Sequence, residues 1–348
     1  MDLGATSKHP ISRRALLRRG AGAAVALGSP ALITACGGSS SSSAPTAGGK
    51  AAIKLQLSFL ENVQFGGSFV ADARGFYAKQ GLSVSFLPGG PNISAEPVVA
   101  SGKALVGISH TSESAQAIDN GAPLTVIGAG YQKNPFCIVS KKTAPLATPN
   151  AMRGKRIGVA TANQPVFNAF LKANAIPPSA VKVVTIQFDP TPLVTGQVDG
   201  LIGFYTNEAV QVELQGVPVH TMLLNDFGYP LIEEVYIVRS ADLKSPAERT
   251  LIRKFMTAER LGWEATLADP AAAAQLAVSR YGAGQHLDLK QQTREAIAQS
   301  QLVADRDTRA HGLFWMSPSK VTNTVRSLAL GSVKATPSTF SNEILQEI

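Results

Sequence analysis

Residues 198–216 read VDGLIGFYTNEAVQVELQG, an apolar run closing on two aromatics, then Thr206-Asn207-Glu208, then alternating apolar and polar positions up to Gly216. Asp199–Tyr205 fits a buried strand, and 207–216 fits a helix that stops at a glycine. Asn207 is a good residue for the helix cap, and an acid at Glu208 is favoured by the helix dipole. The same Glu208, beside Phe204 and Tyr205, is equally suited to accept hydrogen bonds from a ring stacked on those aromatics. Both readings stand at this level.

Working outward, the strand-to-helix junction recurs. Strands are predicted at IKLQLSF (53–59), LSVSFLPGG (82–90), LVGIS, PLTVIGAGYQ, FCIVSKK, RIGVA, VKVVTIQF and EVYIVRS. Helices are predicted over 66–81, EPVVASGKA, SESAQAIDNG, QPVFNAFLKANAI and TPLVTGQ, then over 246–268, 270–281, 288–304 and 317–330. Alternation of this kind predicts an α/β protein whose sheets are mostly parallel. One series runs to about residue 141, and the proline-punctuated segment TAPLATPNAMRGK opens a second. The return at 234–239 leads into a helical tail. Two lobes follow, 51–138 with 236–348 and 139–235, joined by crossing strands near 136–141 and 234–239.

A ligand cleft is then expected between the lobes, outside the carboxyl ends of the strands. The junctions facing it are FLENVQFGG (59–67), SHTSES (109–114), TANQP (161–165) and FYTNE (204–208). The candidate ligand-binding residues are therefore Phe59, Asn62, His110, Asn163, Phe204, Tyr205, Asn207 and Glu208. His110 and Asn163 serve equally as ligand contacts or as loop and helix-start residues, while Asp189 and Asp226 read as turn formers.

The N-terminus has a different character. ISRRALLRRGAGAAVALGSPALITAC places arginines ahead of a short Ala/Gly-rich apolar stretch, the pattern of an export signal over residues 1–35. Ser12-Arg13-Arg14-Ala15-Leu16-Leu17 resembles a twin-arginine motif. Leu32–Cys36 resembles a lipobox in which Cys36 takes the lipid. Residues 36–50, rich in Gly and Ser, read as a flexible tether. The expected location is the outer face of the cytoplasmic membrane, held by lipid. Lys8 and four arginines against Asp2 supply half of the net charge of +8. The remainder holds no basic patch with interleaved aromatics, which argues against a nucleic-acid partner. Cys137, the one other cysteine, lies in an apolar run and reads as a buried side chain.

Catalytic patterns are absent from the sequence: there is no HExxH, CxxC, GxSxG or P-loop, and the five histidines are scattered. No metal or cofactor is expected, and the chain reads as a binding protein rather than an enzyme.

ADARGFYAKQGLSVSFLPGG (71–90), VASGKALVGIS (99–109), MRGKRIGV (152–159) and QVDGLIGFYTNEAVQVELQGVPV (197–219) together resemble bacterial ABC-transporter solute-binding proteins. The branch they resemble is the thiamine-pyrimidine-precursor, sulfonate and nitrate-binding family. That resemblance implies a type II periplasmic-binding fold, a monomer, and as partners a small heteroaromatic ligand with the permease and ATPase of an importer. Where the pyrimidine branch carries Trp-Thr-Pro-Asn-x-x-His after its first strand, this chain has Phe59–Phe65, keeping an aromatic and Asn62. The Cys-rich motif of the related pyrimidine-making enzymes is also missing. The ligand expected first is a thiamine pyrimidine precursor, then riboflavin, then an alkanesulfonate.

Overall fold

The structure is a computed structural model and describes residues 49–348. The signal segment, Cys36 and the tether up to residue 48 lie outside the described residues. Ten strands are present among the described residues: β1 Ala51–Gln56, β2 Leu82–Leu87, β3 Val106–Ser109, β4 Leu124–Tyr131, β5 Phe136–Lys141, β6 Arg156–Ala160, β7 Lys182–Ile186, β8 Gly200–Phe204, β9 Val219–Leu223 and β10 Glu233–Arg239. They form two five-stranded sheets, ordered β2-β1-β3-β10-β4 and β7-β6-β8-β5-β9.

The two sheets have one plan. In the first, β2, β1, β3 and β4 point the same way and β10 runs against them. In the second, β7, β6, β8 and β9 agree and β5 is reversed. The reversed strand is in each case the one that has just crossed from the other lobe. Each sheet is thus mixed by one strand, because a chain arriving from the opposite lobe enters from the carboxyl ends of the strands already in place. The crossings are close together: Asn134, between β4 and β5, donates to the Tyr229 carbonyl at 3.0 Å and accepts from the Phe136 N–H at 3.0 Å.

The helices are α1 Gly66–Ala73, α2 Phe76–Lys79, α3 Ala95–Ala100, α4 Thr111–Asp119, α5 Gln164–Ala173, α6 Thr191–Val194, α7 Glu208–Leu214, α8 Pro246–Ala268, α9 Pro270–Leu276, α10 Leu289–Val303, α11 Arg306–His311 and α12 Pro318–Leu330. One helix expected over 66–81 is two, α1 and α2, because Gly75 takes φ +70° and breaks the ladder. The helix expected over 270–281 ends as α at Leu276 and continues as a π turn. Strand β9 and helix α11 carry too little periodicity to be read from the sequence. Helix α8 starts as expected, with Ser245 accepting from the Glu248 N–H at 3.5 Å and Pro246 in its first turn.

Apolar residues cover both faces of each sheet, with α1, α8 and α10 on one face of the first and α3, α4 and α12 on the other. Helices α5 and α7 cover opposite faces of the second sheet. The α1–α8 contact is unusually close. A Cβ on Gly67 would sit 2.2 Å from the Trp263 ring, and one on Gly262 would sit 2.1 Å from the Gly67 carbonyl oxygen. Gly262 is required by the approach of the α1 backbone, and Gly67 by the Trp263 ring packed against it. Cys137 is fully buried, in line with its apolar surroundings. No helix among the described residues is long and apolar enough to cross a membrane.

Candidate ligand-binding cleft

The carboxyl ends of the strands from both sheets surround a cavity of about 750 Å³. Six of the eight residues singled out from the sequence line it: Phe59, His110, Asn163, Phe204, Asn207 and Glu208. The other two lie elsewhere. The Asn62 carboxamide oxygen accepts from the Gln64 N–H at 2.8 Å and shapes the turn before α1. Tyr205 faces a separate hollow between α7 and α10, because the chain turns sharply after β8 and sends successive side chains to opposite sides.

The second lobe provides the aromatic wall. Phe204, at the end of β8, meets Phe136 of β5 edge-on at 4.6 Å between ring centroids. His110 meets the same Phe204 ring at 5.7 Å and 88°. Across the mouth, Phe59 of the first lobe touches Phe188 of the second, 6.0 Å apart and tilted 61°. Phe188 was not anticipated, since it lies in the loop FDPTP where Asp189, accepting from the Thr191 N–H at 2.9 Å, is the recognisable turn former.

Asn207 stands at the cap position of α7, yet its side chain makes no capping bond and instead accepts from Gln211 at 2.6 Å. Glu208 closes the strand instead. Its Oε2 accepts the Phe204 N–H at 2.7 Å, while Oε1 accepts from the Asn207 amide at 3.4 Å. A Cβ on Gly203 would come within 2.8 Å of this carboxylate, so glycine there gives Glu208 its place. Burial raises the Glu208 pKa above the usual carboxylate range, partly offset by the Phe204 N–H. Asn163, at the start of α5, makes no side-chain hydrogen bond among the described residues and lines the cavity.

The first lobe supplies a buried acidic cluster. His110 Nδ1 lies 2.8 Å from Glu233 Oε1 and 3.8 Å from Glu234 Oε1. Glu233 Oε2 accepts the Thr111 N–H, the first of α4, at 3.0 Å. Glu234 accepts from Gln64 at 2.7 Å and Ser58 at 3.2 Å. Nearby, Glu96 accepts from the Ser109 and Ser114 hydroxyls. Burial works to lower the His110 pKa, but the Glu233 hydrogen bond and the charges of Glu233, Glu234 and Glu113 outweigh it and lift it to about 10. Burial pushes Glu234 up, His110 draws it down and Glu233 pushes it up again, to about 7. The sequence offered one signal for this pair: two adjacent glutamates inside the apolar strand 231–238 demand partners.

A carboxylate with a raised folded pKa holds its proton where the unfolded chain has lost it. The Glu234 contribution to stability is therefore complete below the ordinary carboxylate range and is lost as pH rises towards about 7. Melting of the wild type should fall more steeply between pH 5 and 7 than melting of Glu234→Gln. Parallel slopes would show that Glu234 is ionised throughout.

No lysine or arginine occurs among the described residues lining the cavity, whereas Glu96, Glu113 and Glu208 all do. No group of three or more His, Cys, Asp or Glu among the described residues is placed to hold a metal ion.

Comparison with known proteins adds the following. The family model described as NMT1/THI5 like matches residues 62–273. The riboflavin-binding protein RibY of Chloroflexus aurantiacus is 31% identical over 255 residues, which is 71% of this chain and 71% of that protein. A putative thiamine biosynthesis protein of Haemophilus influenzae is 24% identical over 194 residues, 54% of this chain and 62% of that one. Among solved structures, the periplasmic aliphatic sulphonate binding protein SsuA of Escherichia coli superposes with a TM-score of 0.64 at 11% identity, over 80% of this chain and 86% of its own. The ligand binding component of an ABC-type import system from Staphylococcus aureus superposes with a TM-score of 0.61 at 12% identity, over 85% and 98%. At such identities the two structures establish the shared fold alone.

Proposed function

Because the chain belongs to the NMT1/THI5-like family, we propose that it is the extracytoplasmic solute-binding protein of an ABC importer. Its two lobes, one built on each sheet and divided at the β4–β5 and β9–β10 connections, close on an uncharged nitrogen heteroaromatic and present it to the permease. The observation that carries this reading is the lining of the cleft: aromatic rings and carboxylates without a lysine or arginine. A sulfonate or nitrate there would lose its hydration, and the cleft's one cationic side chain among the described residues, His110, is already paired with Glu233 and Glu234.

Within that class the first choice is a flavin such as riboflavin. A cleft of about 750 Å³ lies in the upper part of the roughly 300–1,000 Å³ range of ligand sites, which suits a fused tricyclic ring with a polyol tail. The relative named as a riboflavin-binding protein supports the same choice. An aminopyrimidine thiamine precursor is the second reading, favoured by Glu208 Oε1, whose contact to the Asn207 amide is long at 3.4 Å and which is suited to accept from an exocyclic amine. Phe59, His110, Asn163, Phe204, Asn207 and Glu208 are the proposed contacts. Export by the twin-arginine signal, lipidation at Cys36 and a monomeric state belong to the same proposal. Growth with an inhibitor of lipoprotein signal cleavage should leave the unprocessed precursor, whereas unchanged processing would remove Cys36 from it.

Riboflavin, its 5′-phosphate, an aminopyrimidine precursor and an alkanesulfonate, titrated in turn against the purified protein, test the ligand. Riboflavin is expected to lose its fluorescence on binding, to be recovered unchanged, and at 100 times Kd to stabilise the fold by about 2.7 kcal/mol. The phosphate ester should bind at least about tenfold more weakly, since one poorly paired charge costs about 1–3 kcal/mol or more. Stabilisation by the sulfonate alone would overturn the reading, and chemical change in a bound compound would make the protein an enzyme.

A further inference from the structure

Adjacent residues of a strand point to opposite faces, yet Glu233 and Glu234 both reach His110, at 2.8 and 3.8 Å. The backbone makes this possible. Glu234 takes φ +53°, the left-handed region, which breaks the alternation and swings its side chain to the same side as its neighbour's. The strand opposite accommodates the distortion. Glu233 pairs with Tyr131 and Val235 with Ala129, leaving Gly130 against Glu234. A Cβ on Gly130 would lie 2.9 Å from the Glu234 carbonyl oxygen. A non-glycine residue in this conformation is held only by well-packed surroundings, and such outliers concentrate at functional sites.

The other partners of the two carboxylates are neutral donors: the Thr111 N–H for Glu233, and Ser58 and Gln64 for Glu234. His110 is thus their one cationic partner among the described residues. Its Nδ1 is taken by Glu233, and its Nε2 makes no bond to any described residue. The side chain remains 23% exposed and lines the cleft beside Phe136 and Phe204. Glu233 and Glu234 from β10 and Glu113 from its own helix act on it directly, and Glu96 of α3, Glu208 of α7 and Tyr229 line the same cleft. None carries a positive charge. An imidazolium donates from both nitrogens and accepts from neither.

We propose that Glu233 and Glu234 are positioning residues that hold His110 as a fixed imidazolium, and that its Nε2–H reads a carbonyl oxygen on the bound heterocycle. The proposal rests on the heteroaromatic reading above and sharpens it. The ligand edge facing the first lobe carries a carbonyl acceptor, as the pyrimidinedione edge of a flavin does. The cleft's carboxylates remain for its N–H and hydroxyl donors.

The test uses the full chain labelled with ¹⁵N-histidine, with the His110 signal identified by its loss in His110→Phe. At pH 8 the free protein should show both His110 nitrogens in the protonated range, when an ordinary histidine is neutral, and Glu233→Gln should lose that signature. Riboflavin should shift Nε2 selectively. His110→Phe and His110→Gln should bind riboflavin about 10- to 100-fold more weakly, the scale of a hydrogen bond from a charged donor. Replacing a flavin carbonyl by a thiocarbonyl, at position 2 or position 4, should weaken binding to the wild type and leave binding to His110→Phe unchanged. A neutral His110 at pH 8, with or without riboflavin, overturns the proposal. So does equal riboflavin affinity in wild type and both variants. Failure of the wild type to bind riboflavin overturns the ligand reading and the carbonyl assignment with it, while the ring-nitrogen shifts still decide whether the carboxylate pair holds the histidine charged.

Discussion

Glu259→Leu is expected to lower stability by about 3–5 kcal/mol, the cost of breaking a buried polar network by deleting its charged member. Glu259 is fully buried in the middle of α8. Its carboxylate accepts from the Tyr77 hydroxyl of α2, the Ser68 hydroxyl of α1 at 3.1 Å and the Tyr236 hydroxyl of β10 at 2.9 Å. Trp263 completes the set by donating to the Tyr236 oxygen at 3.1 Å. Leucine would leave three hydroxyls without an acceptor in the core of the first lobe, each a loss of about 1–3 kcal/mol before relaxation. Burial holds the Glu259 pKa above the ordinary range despite these donors, so Glu259→Gln should be the milder change. Thermal melting and hydrogen exchange at the α1 and α8 amides measure the effect. A midpoint for Glu259→Leu within a degree or two of wild type would show that the network contributes little.

The second large effect is expected at Glu233. Its side chain is 1% exposed, and both oxygens are engaged, one by His110 at 2.8 Å and the other by the Thr111 N–H at 3.0 Å. Glu233→Leu strands a half-buried imidazole and the first amide of α4 together, at a cost of about 3–5 kcal/mol. Unlike Glu259, this residue also borders the cleft through His110. Ligand affinity should therefore fall in the Glu233 variant and persist in Glu259→Leu at a temperature where both remain folded. Calorimetric titration with riboflavin at 10 °C separates the two. Full affinity in Glu233→Leu would reduce the cluster to a structural feature of the first lobe.

Much of the fold was legible in the sequence because its signals are local. Alternation of apolar runs with amphipathic stretches located most strands, and Ser245-Pro246 marked the start of α8. The position of Glu208 at the strand-to-helix junction was legible for the same reason. What it bonds to was not: its carboxylate turns back to the Phe204 N–H and so closes β8. The sequence by itself therefore determined the α/β class, the recurring junctions and the residues carried at the tips of the strands. Only the tertiary structure decided that β5 and β10 run against their sheets, that Asn62 and Tyr205 lie away from the cavity, and that Phe59 meets Phe188. It alone joined Glu233 and Glu234 to a histidine more than 120 residues earlier in the chain. The physical reason is that strand and helix periodicity is written in neighbouring residues. Pairing, reversal and the charge of a cleft histidine arise from groups that meet only after the chain has crossed between lobes and back.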